Sequence, residues 1–197
     1  MTSTITNVTL VGVGGQGILL TSDILARAAA ISGFDVKKSE IHGMSQRGGS
    51  VSSQVRFGAA VHSPIIPDGE SDFLVAFELL EAIRCFPMLR PVGAAIVDLR
   101  DIVPLTVSSG MQPVVDDRPA LVAKLYGDRV RLLDASKLAV EAGNARTANL
   151  VLAGALSRLL PFEPDAWREA MRGRIKESLL AVNLRAFDAG RAAIAVS

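Results

Sequence analysis

The stretch Val8-Thr9-Leu10-Val11-Gly12-Val13-Gly14-Gly15-Gln16-Gly17 constrains the fold more than any other part of the chain. A β-branched apolar run suits a buried parallel strand. Glycines at the spacing G-x-G-x-x-G, followed by a helix-forming stretch, suit a sharp strand-to-helix turn. Glycine lets the backbone turn tightly and lets a phosphate approach closely. The free N–H groups and positive dipole end of the next helix favour an anion. Two readings stand at this point: a cradle for a phosphate-bearing cofactor, and a tight turn with no ligand.

The rest of the chain continues that alternation. Periodicity predicts strands at residues 4–11, 35–40, 51–57, 72–77, 94–98 and 130–134. It predicts helices at residues 15–32, 78–85, 119–126, 136–141, 147–160, 165–171 and 176–194, with Gly33 ending the first and Asp165 capping the sixth. Residues 102–118 hold Pro104, Gly110 and Pro113 and read as an irregular excursion with one edge strand. In the strand 51–57, Val51, Ser53, Val55 and Phe57 share one face and Ser52, Gln54 and Arg56 the other, which predicts a half-exposed strand. The helix 15–32 is apolar on most sides, so cover by a partner as well as by the sheet is expected. The expected fold is α/β: a Rossmann-like three-layer sandwich with a mainly parallel sheet and C-terminal helices over residues 145–197. A length of 197 residues suits a single domain.

Composition removes several function classes. There are 21 basic and 20 acidic residues with no charge block, which argues against nucleic-acid coating or a polybasic membrane anchor. One Trp, one Tyr and seven Phe leave no stacking platform for single strands. Residues 1–7 lack the basic and apolar regions of a signal peptide, and no apolar run reaches the length of a membrane span, so the expected location is cytoplasmic. With Cys85 as the one cysteine, neither an internal disulfide nor a four-cysteine zinc or iron–sulfur site can form. Two histidines, His42 and His62, come without accompanying ligands at metal spacing. There is no G-x-S-x-G elbow, and Ile18-Leu19 stand where a Walker lysine would be.

The second loop, residues 41–50, is polar and Gly-rich. Arg47 lies between Gln46 and the pair Gly48-Gly49, near Ser45 and Ser50. A guanidinium beside permissive backbone and hydroxyls suits a phosphate or carboxylate. Loops at the C-terminal ends of parallel strands share one sheet edge, so this loop is expected beside the first. The candidate cofactor-binding residues are therefore Gly12, Gly14, Gly15, Gln16, Gly17, Arg47, Gly48 and Gly49. A nicotinamide cofactor would need a ribose-binding acid near the end of strand two; Asp35 comes too early on it and Glu40 too late. Asn144, Arg146 and Asn149 either cap the helix that follows or reach the same edge as the glycines. Cys85 reads as a small buried hydrophobe, and Lys37 and Lys38 as a solvated face.

Taken together, these residues resemble a known family. Gly12-Val13-Gly14-Gly15-Gln16-Gly17, then residues 39–51 with Gly43-Met44-Ser45-Gln46-Arg47-Gly48-Gly49, then Val55-Arg56-Phe57-Gly58, are similar to the gamma-type domain of 2-oxoacid:ferredoxin oxidoreductases. Ser63-Pro64, Ile66-Pro67, Gly69, Ala76-Phe77-Glu78, Gly143-Asn144, Arg146, Asn149, Asn183, Ala186-Phe187 and Gly190 extend the resemblance through nearly the whole chain, in order. Its nearest version looks like the beta subunit of the indolepyruvate branch. The resemblance implies a subunit of an enzyme that oxidatively decarboxylates a 2-oxoacid, of the arylpyruvate kind, to an acyl-CoA and reduces ferredoxin. It implies thiamine diphosphate and iron–sulfur clusters on a large partner subunit, inactivity of the isolated chain, and coenzyme A as a substrate at the Gly12–Gly17 loop, with Arg47 supplying charge. The competing expectations are a free-standing Rossmann-like NAD(P)-binding protein and an assembly subunit whose glycines are purely structural.

Overall fold

The structure is a computed structural model that describes residues 5–42, 49–103 and 117–195. A six-stranded sheet is built from β1 (Thr6–Val13), β2 (Asp35–His42), β3 (Ser50–Gly58), β4 (Ser71–Ala76), β5 (Leu89–Asp98) and β6 (Val130–Leu133), in the order β2-β3-β1-β4-β5-β6. Among the described residues, seven helices surround it: α1 (Ile18–Ile31), α2 (Leu79–Cys85), α3 (Arg118–Tyr126), α4 (Ala135–Glu141), α5 (Ala148–Ser157), α6 (Pro164–Arg172) and α7 (Glu177–Ala192). The α/β sandwich and the mainly parallel sheet agree with the sequence. The edge strand expected within 102–118 falls almost wholly outside the described residues.

Alternation along the strands separates two cores. Val8 and Leu10 of β1, Val51, Val55 and Phe57 of β3, and Val75 and Ile96 face α1 and α4 to α7. Val11, Leu74, Ala76, Ala95 and Val97 face the other way, onto Leu79 and Ala82 of α2 and Val122 and Tyr126 of α3. Burial on both faces explains why β1, β4 and the end of β5 read as continuous apolar runs. In the larger core Phe57, Phe162, Trp167 and Phe187 form a chain of ring contacts with centroids 4.8 to 6.0 Å apart.

One strand runs against the rest. β3 is antiparallel to both β1 and β2 and lies between them, whereas β1, β4, β5 and β6 pair in parallel. β2 is thereby an edge strand, which accounts for its Asp35, Lys37, Lys38 and Glu40: charge on an edge discourages pairing with other chains.

The second face of β3 is not solvated as expected. Gln54 is buried, because the segment after β3 folds back across it. Its Oε1 accepts from Ile66 N at 2.9 Å and its Nε2 donates to Ile66 O at 3.4 Å. Arg56 donates to Ser63 O and Ile65 O at 3.0 and 2.8 Å, completing the staple. The apolar cover of α1 also comes from this chain, since α5, α6, β2 and β3 pack on it. The cap of α6 differs too: Glu163 is the N-cap, Pro164 opens the first turn, and Asp165 lies within that turn. Proline pre-sets the first helical φ and lacks the N–H that would go unpaired there.

Helices α5 and α7 pack at glycines. A Cβ on Gly154 would lie 2.0 Å from Phe187 O, and one on Gly190 would lie 1.9 Å from Val151 O. Their backbones touch without side chains between them, so the start of α7 is held against the start of α5.

Candidate functional site

The Gly12–Gly17 loop divides its residues between building itself and facing outward. Gly12 is buried; a Cβ there would lie 2.4 Å from Gln16 Oε1 and 2.8 Å from Phe77 Cβ. Gly14 donates its N–H to Gly49 O at 3.0 Å. The Gln16 amide is used inward: Oε1 accepts from Val13 N at 2.7 Å and Nε2 donates to Phe77 O at 3.1 Å. Gln16 thus closes the gap between the ends of β1 and β4, where a doubly wound sheet normally opens its crevice. Only Gly15 and Gly17, at φ +98° and +84°, combine left-handed backbone with a place on the open side.

That open side is a cleft of about 420 Å³ lined by Gly15, Gly17, Arg146, Asn149, Arg174 and Lys176, among others. Three helices begin on it. Gly17 is the N-cap of α1, Thr147 of α5 and Lys176 of α7, and none has a side-chain cap. The first N–H groups of a helix have no intrahelical acceptor, and each helix start carries about half a positive charge. Arg146, Arg174 and Lys176 add formal charge at the same place. Among the described residues, Arg146 and Lys176 have no carboxylate partner, while Arg174 NH2 donates to Asp23 Oδ2. Leu20, Ile175 and Leu179 supply apolar wall.

The cleft is assembled from distant parts of the chain by close packing. A Cβ on Gly17 would lie 2.8 Å from Asn149 Nδ2, and Thr21 Oγ1 donates to Gly17 O at 3.1 Å and to Asn149 O at 3.4 Å. Asn144 accepts from Arg146 N at 3.0 Å through Oδ1, capping the 3-10 turn Ala145–Thr147 that leads into α5. The structure therefore brings Asn144, Arg146 and Asn149 to the glycine edge, one of the two places the sequence left open for them. It also brings Gly49 beside Gly14, as the shared sheet edge predicts. Arg47 and Gly48 lie outside the described residues. Arg174 and Lys176 escaped the sequence reading. The signal was Arg172-Gly173-Arg174-Ile175-Lys176, a basic run at the break between two helices in a chain of otherwise scattered charge.

The other polar groups at the C-terminal sheet edge serve the fold. Glu78 is buried and accepts from Leu80 N at 3.0 Å and from Glu81 N, capping α2. Burial raises its carboxyl above the ordinary range, and those two N–H groups only partly offset it. Asp98, also buried, accepts from Ala135 N at 3.1 Å at the start of α4; burial raises it too, against the pull of that N–H and of Arg100.

Neither of two implied groups fits these residues. An iron–sulfur cluster needs several thiolates. The one thiol, Cys85, is pushed up to about 12 by burial, reinforced by the charge of Glu81. Among the described residues no group of three His, Cys, Asp or Glu could hold a metal ion, such as the one a thiamine diphosphate requires. Nor does a dinucleotide site fit. β3 separates β2 from β1, so an acid at the end of β2 stands two strand spacings, about 9–10 Å, from the glycine strand.

Comparison with known proteins agrees with this fold. The profile of the family described as pyruvate ferredoxin/flavodoxin oxidoreductase matches residues 7–193. The indolepyruvate oxidoreductase subunit IorB of Thermococcus kodakarensis is 40% identical over 188 residues, covering 93% of each chain. The keto/oxoacid ferredoxin oxidoreductase gamma subunit of Geobacter sulfurreducens shares the fold, with TM-score 0.70 at 24% identity over 95% of this chain and 97% of that one. The 2-oxoglutarate:ferredoxin oxidoreductase of Magnetococcus marinus, solved with 2-oxoglutarate, coenzyme A and succinyl-CoA bound, superposes with TM-score 0.72 at 25% identity; 96% of this chain matches 31% of that one. A family match across nearly the whole chain, together with a relative of that identity and coverage, places this protein in the pyruvate ferredoxin/flavodoxin oxidoreductase family.

Proposed function

We propose that the chain is one gamma-type domain and the non-catalytic subunit of a 2-oxoacid:ferredoxin oxidoreductase acting on an arylpyruvate such as indolepyruvate. Its partner is a large subunit carrying thiamine diphosphate and iron–sulfur clusters, ferredoxin is reached through the complex, and both subunits are cytoplasmic. The 40% identity to an indolepyruvate oxidoreductase subunit over 93% of both chains supports the substrate class. The single cysteine of the sequence, and the lack of a metal-binding group among the described residues, support the division of labour.

This chain's own task is to bind coenzyme A. The observation that carries the reading is the convergence of three helix starts, those of α1 and α7 without a side-chain cap, on one cleft with Arg146, Arg174 and Lys176. A phosphate there meets backbone N–H donors and guanidinium groups together, the chemistry that best holds a multiply charged anion. Gly15 leaves open space where a side chain would stand, and Gly17 lets the Asn149 side chain pack against the loop. The free-standing NAD(P)-binding alternative is not favoured, because β3 displaces the ribose-binding position and Gln16 fills the usual crevice.

The test is steady-state kinetics of the enzyme assembled with its large partner. Arg146→Ala and Lys176→Ala each raise KM for coenzyme A by about tenfold, from loss of one charge-assisted contact, and leave KM for the 2-oxoacid unchanged. Unchanged KM for coenzyme A in both variants refutes the assignment.

A further inference from the structure

Asp23 is out of place by composition. It stands in the second turn of α1, a helix whose buried face is Ile18, Thr21, Ser22, Ile24, Leu25, Ala28 and Ala29. It does not line the coenzyme cleft. Its two oxygens are divided between two elements far apart in sequence. Oδ1 accepts from Lys38 Nζ on β2, and Oδ2 accepts from Arg174 NH2 on the turn between α6 and α7. Lys38 also reaches Glu40 Oε1 at 2.5 Å, so it bridges α1 and β2. The carboxylate of Asp23 is thus shared, one oxygen with Lys38 and the other with Arg174.

Among the described residues, Arg174 is the one cation that lines both the coenzyme cleft and the neighbouring hollow formed by Asp23, Ala26, Arg27, Ala30, Val36 and Lys38. A long side chain at such a rim has two ways to point, and its rotamer freedom opposes holding it in one. Its backbone is fixed: Arg174 N donates to Met171 O at 3.0 Å and Ile175 N donates to the same oxygen at 2.9 Å, closing α6. Only the side chain remains to be set, and the Asp23 carboxylate is the group that sets it. A guanidinium presents several N–H donors in a rigid fork, so one edge can rest on Asp23 while the others stay free for a phosphate.

We propose that Asp23 is a positioning residue for coenzyme A: by holding one edge of the Arg174 guanidinium it aims the remaining donors into the cleft at a phosphate of the ligand. The inference rests on the coenzyme A reading of the cleft. Asp23 itself takes no part in contact with the ligand; its negative charge pre-orients the cation that does. Pre-orientation lowers the ordering cost that binding would otherwise carry.

The assembled enzyme tests this with five variants. Arg174→Ala raises KM for coenzyme A by about tenfold with kcat and KM for the 2-oxoacid unchanged. Asp23→Asn raises KM for coenzyme A by several-fold, and Asp23→Glu restores part of it. The double variant Asp23→Asn/Arg174→Ala is no worse than Arg174→Ala alone, because the two act as a unit. Lys38→Met, which frees the other oxygen of Asp23, leaves KM for coenzyme A at the wild-type value and so separates aiming from general loss of the ion network. If Arg174→Ala raises KM but Asp23→Asn does not, or if the two effects multiply in the double variant, the positioning role is overturned while the coenzyme site stands. If Arg146→Ala, Lys176→Ala and Arg174→Ala all leave KM unchanged, the coenzyme site fails and the positioning role with it.

Discussion

The contact between α5 and α7 is the joint on which the cleft depends, and Gly190→Ala measures its tightness. In the native packing a Cβ at residue 190 would stand 1.9 Å from Val151 O, 2.7 Å from Val151 C and 2.9 Å from Val151 Cα. All three atoms are backbone, so no rotamer change relieves them. The helices must part by about 1 Å before the nearest contact reaches the shortest range real Cβ atoms show. Overpacking of this kind costs about 3 kcal/mol where the neighbour cannot yield. Alanine returns up to about 1 kcal/mol through its better helix propensity, leaving a net loss of about 2 kcal/mol. With a urea m-value of about 3 kcal/mol/M for a chain of this size, the midpoint falls by about 0.7 M. Equilibrium unfolding followed by far-UV circular dichroism reads this directly. An unchanged or raised midpoint would mean that α5 and α7 are not held backbone to backbone, and the account of how α7 is registered against α5 would be wrong.

Two other perturbations address the sheet. Burial raises Asp98 in the folded protein, so the fold binds its proton more tightly than the unfolded chain does, and its contribution to stability falls as pH rises from about 4 through that raised value. Asp98→Asn keeps an acceptor for Ala135 N and removes the charge, so the stability of the variant relative to wild type increases between pH 4 and pH 7; a difference independent of pH refutes the shift. Gln54→Ala removes both bonds to Ile66 beneath the segment that crosses β3. It costs about 1–3 kcal/mol and speeds limited proteolysis within residues 59–70; an unaltered cleavage rate there would show that the staple does not hold that segment.

The alternation of strands and helices was legible because both follow from local periodicity. Val8–Val11, Leu74–Ala76 and Ala95–Val97 are apolar on both faces and read as buried parallel strands without further knowledge. The position of β3 was not legible. Its alternation is that of any antiparallel strand, and nothing local in residues 50–58 says that it inserts between β1 and β2. The polarity of Asp35-Val36-Lys37-Lys38 was the visible trace of that insertion, since it marks an edge. Gln54 looked solvated because the segment that covers it lies beyond the strand's own pattern.

The glycine loop was legible as a turn, but its division of labour was not. Gly12, Gly14 and Gln16 turned inward because Phe77 and Gly49 arrive from other strands. Arg174 and Lys176 reach the loop across about 160 residues through the packing of α7 on α5. A contact of that span leaves no periodic mark in the sequence.

The antiparallel strand has one more effect. Pairing of β1 with β3 continues without a break from Thr6↔Phe57 to Val13↔Ser50, and the next rung is the bond from Gly14 N to Gly49 O. The ladder therefore works as a ruler laid along the glycine loop. A slip of one residue would turn Val51, Val55 and Phe57 out of the larger core, so the core forbids it. Packing on one side of the sheet thus meters, to a single residue, where the loop begins its turn toward the cleft.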